Sequence, residues 1–343
     1  MQKRPLRIAI NGFGRIGRVF TRVVWNNPAF EIVAINSLSK CDIYAHLMKY
    51  DSIYGVWDVP TDFSSEDDAV FFGGKRIAFY HERDIENIDW ASHDVDIVIE
   101  STGVFTDRAS SEKHLDSGAK HVVISAPAKD EDITMIYGIN HDLFDPEAHK
   151  IISSASCTTT CLAPLVKVLD NVYKIKHGTI MTTHAYTNDQ HLVDHPHKKD
   201  SFRRARAAAM SIVPTSTGAA KAIGKVIPNM IGKLNGNALR VPVPTASIVS
   251  FIAEVEKATD RDAVNEEFLR AAKEDFSGNV DVSTIGLVSV DYIRSPYAAT
   301  IDSLSTLVTD NTQIFVQAWY DNEWGYVTQM AHLMEEMGKK IIA

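Results

Sequence analysis

Leu6-Arg-Ile-Ala-Ile-Asn-Gly-Phe-Gly-Arg-Ile-Gly17 is the stretch on which the reading of the fold turns. Leu6 to Ile10 reads as a short buried strand, and Ile16, Val19, Phe20, Val23 and Val24 then recur at helical spacing. Between them the glycines stand as G-x-G-x-x-G. Gly12 permits a tight turn, Gly14 lets backbone approach a pyrophosphate, and Gly17 allows close packing of helix on strand. Glu31 to Asn36 supplies a second strand. The order strand, glycine turn, helix, strand is the context a dinucleotide fingerprint requires, with the helix N-terminus facing the phosphates. A glycine turn with a purely structural role is the competing reading, and the flanking pattern speaks against it.

One part of the fingerprint is missing. An acidic residue commonly ends the second strand and holds the adenosine ribose. Here the strand runs into Asn36-Ser37-Leu38-Ser39-Lys40. Ser37 has no charge to repel a 2′-phosphate and Lys40 would attract one, so use of NADP as well as NAD is open. Asn36, or a more distant group, is the alternative holder of the ribose of NAD.

Outward from this motif, 343 residues suggest two domains with two cores. A hydrophobic content of 45% and a charged content of 23% are those of an ordinary globular protein. The net charge of −9 speaks against general nucleic-acid binding. The three cysteines, Cys41, Cys157 and Cys161, are too few and too odd for a disulfide framework and fit a reducing compartment. Cys157 and Cys161 lack the C-x-x-C spacing and no second Cys/His cluster accompanies them, so no metal is expected. The N-terminal Met1-Gln2-Lys3-Arg4-Pro5 has no separate apolar region of a signal peptide, and no apolar run is long enough to span a bilayer. A cytoplasmic location is the default.

Alternation of strands and helices continues to about Lys120. Val70-Phe71-Phe72 and Arg76 to Phe79 flank Gly73-Gly74 as a hairpin. Val95 to Glu100 reads as a buried strand leading into the small-residue turn Ser101-Thr102-Gly103, and Ser111 to Ser117 as a helix. The sum is a doubly wound sheet. Ile151-Ile152 then lead to Ser154-Ala-Ser-Cys-Thr-Thr-Thr-Cys161, and Leu162, Leu165, Val166 and Leu169 follow at helical spacing. Cys157 falls in the first turn of that helix, where free N–H groups and the dipole favour a thiolate. A buried structural cysteine is the alternative.

In the second half, Gly178 to Tyr186 reads as a strand with His184 near its end, followed by the polar Thr187-Asn188-Asp189-Gln190. His184 is one of 13 histidines and draws its case from that setting. A basic stretch from His191 to Arg206 (Lys198, Lys199, Arg203, Arg204, Arg206) runs into Pro214-Thr-Ser-Thr-Gly218, which opens a helix at Ala219. Hydroxyl and N–H groups at a helix start bind anions. Arg240, within the apolar run Ala238 to Pro242, needs an anionic partner. A thiol, a histidine and anion binders together suggest a phosphorylated substrate. Thr245 to Val255 and Ile314 to Trp319 read as further strands, and Asp262 to Phe276 as a structural helix. A last helix after Tyr326 presents Val327, Met330, Met334, Met337 and Ile341 on an apolar face.

Several segments in order resemble the phosphorylating glyceraldehyde-3-phosphate dehydrogenases. They are Ile10 to Arg18, Ala45 to Asp51, Glu100 to Gly103, Ser125 to Ala128, Ala155 to Thr159, Arg203 to Ala209, Pro214 to Lys221 and Trp319 to Glu323. The resemblance covers essentially the whole chain. It implies an α/β Rossmann-type doubly wound dinucleotide-binding domain, residues 1–156 joined by the C-terminal helix 322–343. An α+β catalytic domain with a mixed or antiparallel sheet would occupy residues 157–321. Cys157 would be the nucleophile and His184 its base. Thr187, Asp189 and Arg240 would surround the phosphate of glyceraldehyde 3-phosphate; Ser156, Thr158, Arg204, Thr217 and Gly218 would surround inorganic phosphate. Gly12, Gly14, Arg15, Ile16, Gly17, Asn36, Ser37, Arg83, Ser125 and Asn322 would contact the cofactor, Asn322 near the nicotinamide amide. A homotetramer is implied, with residues 189–206 in an inter-subunit loop.

The chain departs from that family's pattern at Ser37, in place of an aspartate, and at Ser154 and Thr160, each in place of an asparagine. The loop His197 to Arg203 is longer than in common bacterial members. A Leu-Pro pair that crowds the 2′-phosphate in NAD-specific members is here His195-Pro196. Two rival readings are erythrose-4-phosphate dehydrogenase, in which water resolves the thioester, and a non-catalytic nucleotide-binding scaffold. The intact Thr215 to Lys221 run and Thr187 favour phosphate over water, and Cys157, His184 and Arg240 together favour an enzyme.

Overall fold

The structure is a computed structural model that describes residues 4–197 and 201–342; Lys198 and Lys199 of the basic stretch lie outside it. The chain packs as two compact units. One runs up to Met135 and takes in His141–Ala155 and the chain from Met330 onward; the other holds Ile136–Asn140 and Ser156–Gln329. The short passage Ile136–Asn140 belongs to the second unit because Lys167 Nζ donates to the Ile139 carbonyl (2.6 Å) and Asn279 Nδ2 to the Tyr137 carbonyl (2.8 Å).

The first unit is built on a nine-stranded sheet. From one edge its order is Ile133–Thr134, Ile151–Ser153, His121–Ile124, Ile97–Glu100, Leu6–Asn11, Phe30–Asn36, Lys75–Tyr80, Ala69–Phe72, Thr61–Phe63. The first seven strands are parallel, and the hairpin across Gly73-Gly74 adds the antiparallel edge. The central strands are buried on both faces, which is why Leu6–Asn11 and Ile97–Glu100 read as apolar runs rather than alternations. Chain order reverses between Leu6–Asn11 and its neighbour Ile97–Glu100, and that switch point is where open α/β sheets leave a crevice.

Gly12 turns there at φ +94°, and a Cβ on it would stand 2.7 Å from the Thr102 amide nitrogen. Gly17 lies one turn into the helix Arg15–Val24, where a Cβ would meet the Gly12 carbonyl oxygen at 2.7 Å and Ile10 at 2.9 Å. The helix therefore sits on its strand only because residue 17 has no side chain.

The end of the last helix, Trp324–Ile341, packs in this unit: Asn27 Nδ2 donates to Glu335 (3.3 Å), and Lys340 Nζ to the carbonyls of Asp142 and Phe144. No helix among the described residues is long and apolar enough to cross a membrane.

The second unit carries an eight-stranded mixed sheet. Its main path is Val213–Ser216, Leu234–Val241, Ile175–Ala185, Ser247–Val255, Gln313–Tyr320, Ala299–Asp302, Val280–Ser283, and Leu307–Thr309 pairs with Gln313–Tyr320. Strand Ile175–Ala185 runs parallel to Leu234–Val241 and antiparallel to Ser247–Val255. The strands alternate buried and exposed residues, as in Ser247–Val255, because helix Cys157–Tyr173 covers one face. The helix Ala219–Val226 starts where the sequence places it, and two details were not read from the sequence. Pro214, Thr215 and Ser216 form an edge strand on Leu234–Val241, ahead of the helix. The helix Cys41–Lys49 and the short strands Val280–Ser283 and Ala299–Asp302 had no periodic signal long enough to find them.

Gly17→Ala is expected to cost about 1–3 kcal/mol of stability through overpacking against Gly12 and Ile10. A thermal melt together with a dinucleotide-binding titration checks this; an unchanged midpoint would remove the close-packing argument.

Candidate active site

At the switch point of the first unit lies a cavity of about 380 Å³. Of the cofactor residues read from the sequence, Gly12, Gly14, Asn36, Ser37 and Arg83 line it, together with Asn11 and the Ser101-Thr102 turn. Leu38, Tyr44, Glu82, Val104 and Phe105 line it as well, and no motif singled them out. Gly14 is the N-cap of helix Arg15–Val24 with open space where a Cβ would stand, so the free N–H groups of the first turn face an unobstructed approach. This cradle fits the pyrophosphate of a dinucleotide.

The other predicted residues behave differently. The Arg15 guanidinium pairs with Asp51 and lies over the Tyr54 ring at 5.3 Å, so its side chain is held within the unit. Ile16 is the second residue of the helix and half-buried. Ser125 donates from both N–H (2.9 Å) and Oγ (3.1 Å) to the Glu100 carbonyl. Asn36 spends both amide hydrogens on Asn11 Oδ1 and the Glu82 carbonyl, and its Oδ1 accepts from the Glu82 N–H, all at 2.8 Å. It has no donor left for a ribose. Ser37 is the polar group offered at the strand end; its Oγ lies 2.5 Å from the Tyr44 hydroxyl and accepts weakly from the Phe13 N–H at 3.4 Å.

In the second unit the nucleophile is set up by local backbone. Ala155, just before it, holds φ +59°, a left-handed conformation that costs a non-glycine residue on the order of 1–3 kcal/mol. Ser156 then caps the helix, its Oγ accepting from the Thr159 N–H at 3.2 Å. Cys157 is thus the first helical residue, half-buried, above the buried Leu162, Leu165, Val166 and Leu169. Its Sγ is 3.4 Å from His184 Nε2.

Register brings the third member in. His184 and Arg240 are paired residues of adjacent parallel strands. His184 Nδ1 lies 2.7 Å from the Ala185 carbonyl, to which Arg240 also donates at 2.8 Å, and the guanidinium stands 2.7 Å from Nδ1. A carbonyl oxygen accepts two such bonds. With the Nδ1 proton on Ala185, the Nε2 lone pair faces the thiol.

Burial and then the Arg240 charge push the His184 imidazole down to about 3. Burial raises the Cys157 thiol, opposed by Arg240, the Thr158 hydroxyl and nearby N–H groups. The groups that would favour a thiolate at the helix start are present, and burial opposes them.

Next to this pair lies a group of anion binders. Asp189 is held below the usual carboxylate range, against burial, by Arg204 and His197. Arg204 pairs with it and donates from Nε to Thr215 Oγ1 (3.0 Å). The charges of Arg240 and Arg204 both act on His184. The Thr217 hydroxyl accepts from the Ala219 N–H (3.2 Å), beside the exposed Gly218. Thr187 is half-buried and its carbonyl accepts from the Gln190 N–H. The Thr158 hydroxyl lies 3.0 Å from the Tyr320 hydroxyl. Asn322 is buried, its Oδ1 accepting from Ser247 Oγ at 2.9 Å. Arg206 pairs with Asp194 on the exposed loop.

Comparison with known proteins agrees with this chemistry. Residues 6–108 match the family described as glyceraldehyde 3-phosphate dehydrogenase, NAD binding domain, and residues 156–322 its C-terminal domain. The glyceraldehyde-3-phosphate dehydrogenase of Geobacillus stearothermophilus is 49% identical over 335 residues, 98% of this chain and 99% of that protein. Glyceraldehyde-3-phosphate dehydrogenases 1 and 2 of Bacillus subtilis are 47% and 45% identical, each over 98% of this chain and over 99% and 98% of their own lengths. Similarity at this level, along both units and around a cysteine–histidine pair, makes the chain a member of the glyceraldehyde-3-phosphate dehydrogenase family.

Proposed function

We propose that the chain oxidises glyceraldehyde 3-phosphate, with NAD and inorganic phosphate, to 1,3-bisphosphoglycerate through a thioester on Cys157. The 3.4 Å contact between the Cys157 sulfur and His184 Nε2, beside the paired Arg240, carries this reading. As sulfur bonds to the aldehyde carbon, the thiol proton passes to Nε2. The imidazolium returns it to the new alkoxide, which the Cys157 backbone N–H in the first helical turn is placed to stabilise. Bound NAD supplies the hydride acceptor. His184 takes the hydroxyl proton again as hydride leaves, and the product is a thioester. A phosphate oxygen then attacks its carbonyl, the carbon–sulfur bond breaks, and the leaving sulfur recovers the proton from His184. Arg240 and Arg204 hold the two phosphates. Asp189 can only accept hydrogen bonds, so its part is to hold Arg204 and His197.

The 2′ position of the cofactor is the point at which the chain is unusual. Ser37 and Tyr44 offer hydroxyls where a carboxylate would repel a 2′-phosphate, and Arg83 lines the same cavity. We read the recess as one that admits NADP alongside NAD. A homotetramer fits the bare apolar side chains on residues 191–212, among them Leu192 (84% exposed), Phe202 (91%) and Met210 (86%). Three free thiols fit a cytoplasmic setting.

Cys157→Ser should lower turnover by about 1000-fold or more while leaving NAD binding intact; an active Ser variant would overturn the mechanism. Omitting phosphate should stop wild-type turnover after one thioester per site, whereas sustained turnover without it, or faster turnover of erythrose 4-phosphate, would favour a hydrolytic enzyme. Ser37→Asp should reduce kcat/KM with NADP by about tenfold or more and spare NAD; equal effects on both cofactors would refute the ribose assignment. Light scattering on the purified chain should give a tetramer, and a monomer at micromolar concentration would refute that part.

A further inference from the structure

Away from the catalytic pair, the first unit brings a thiol, a carboxylate and an imidazole together. Cys41 Sγ, an Asp67 carboxylate oxygen and a ring nitrogen of His81 all lie within 4.8 Å of one another, the one such group of His, Cys, Asp and Glu among the described residues. Three segments supply them: the start of helix Cys41–Lys49, the turn before strand Ala69–Phe72, and the residue after strand Lys75–Tyr80. The separations of 26 and 14 residues in sequence hide the group from any spacing rule.

Two separations at this point match those of a coordination shell. Ligands about 2.0–2.3 Å from a tetrahedral Zn²⁺ stand about 3.3–3.8 Å apart. Here Cys41 Sγ is 3.4 Å from the Asp67 carbonyl oxygen, and His81 Nε2 is 3.5 Å from Asp67 Oδ2. His81 Nε2 is 2.7 Å from the same carbonyl, a hydrogen bond that a cation in place of the proton would widen. Asp67 holds the left-handed turn (φ +60°) that turns both its carbonyl and its carboxylate to this point, and Oδ1 is anchored by the Cys41 N–H at 2.7 Å. Cys41 is buried, whereas the Asp67 and His81 side chains are 40% and 33% exposed, so a cation has a way in from one side. One sulfur, one nitrogen and oxygen ligands suit a borderline cation and not Mg²⁺ or Ca²⁺.

The group also borders the dinucleotide recess. Cys41 opens the helix that carries Tyr44, and His81 directly precedes Glu82 and Arg83; all three of those neighbours line the cavity. Phe79 joins the two sides, its ring 5.4 Å from Tyr44 and 5.0 Å from His81. We propose that Cys41, Asp67 and His81 form a site for a Zn²⁺-class divalent cation whose occupancy changes dinucleotide affinity. The second half of this statement rests on the reading of the cavity as the cofactor site.

The test uses the full-length Cys157→Ser chain, which removes the other thiol that faces a histidine, and Co²⁺ as probe. One Co²⁺ per chain is expected, with a thiolate charge-transfer band and the strong visible bands of tetrahedral cobalt, and Zn²⁺ should bleach both. Adding Cys41→Ser should remove the charge-transfer band. Adding His81→Ala, a change at an exposed side chain that leaves the fold intact, should weaken binding by tenfold or more. A band that survives Cys41→Ser, or no band at millimolar Co²⁺, overturns the site. NAD titrations with and without Zn²⁺ should differ threefold or more in the Cys157→Ser chain and agree in the His81→Ala derivative. Cobalt binding without that difference overturns the coupling alone. Failure to bind NAD at all, with the cobalt spectrum intact, would instead overturn the reading of the cavity.

Discussion

A carboxylate buried at the carboxyl end of strand Ile97–Glu100 holds the floor of the cofactor recess in place. Glu100 Oε1 accepts from the N–H (2.8 Å) and hydroxyl of Thr102, and Oε2 from Asn11 Nδ2 (2.6 Å) and His114 Nε2 (3.2 Å). His114 is held in one tautomer because its Nδ1 accepts from the Trp90 indole at 3.1 Å. Asn11 passes the linkage on to Asn36, and Asn36 to the backbone of Glu82. Four segments that no covalent bond joins locally are thereby fixed around the Gly12 turn. A buried acceptor left short of donors is costly, and here donors from three directions satisfy the group. The Gly12 turn lies so close to Thr102 that a Cβ would not fit, and this lattice fixes where Thr102 stands.

The catalytic unit uses a different device. Among the described residues no buried carboxylate orients His184; the Ala185 carbonyl does so, and a cation stands beside it. Burial and Arg240 both disfavour a proton on the imidazole. The strained Ala155 and the Ser156 cap fix where the sulfur starts, and the parallel register of Ile175–Ala185 with Leu234–Val241 fixes where base and cation stand. Position comes from backbone at each of these points, which suits a group that must pass a proton back and forth without moving.

Much of this was legible in the sequence for identifiable reasons. Gly12, Gly14 and Gly17 announce themselves because their roles depend on missing a side chain. Cys157 falls at a change of periodicity, and Arg240 stands out as a charge in an apolar run. Less visible was anything set by partners distant in sequence. Asn36 reads as a ribose ligand until Asn11 and Glu82 are found to occupy its amide. The contact of the Thr158 hydroxyl with Tyr320, 162 residues on, has no sequence signal. Tyr44 had no signal, since a tyrosine on a short helix becomes a cofactor-lining group only through its approach to Ser37. The net effect of burial on the thiol likewise depends on everything packed around it, which local spacing does not contain.

The recess thus has a floor and a rim of different character. Asn11, Asn36, Glu100, His114 and Trp90 interlock, and none can be exchanged without stranding another's hydrogen bond. Ser37, Tyr44 and Arg83 stand at the edge with few such obligations. A lineage carrying this lattice is free to trade one dinucleotide for another by single substitutions at the rim, each tolerable on its own. Cofactor choice in such a protein is an easily rewritten trait laid over an inherited framework, and a breeder of enzymes would begin at the rim and leave the floor alone.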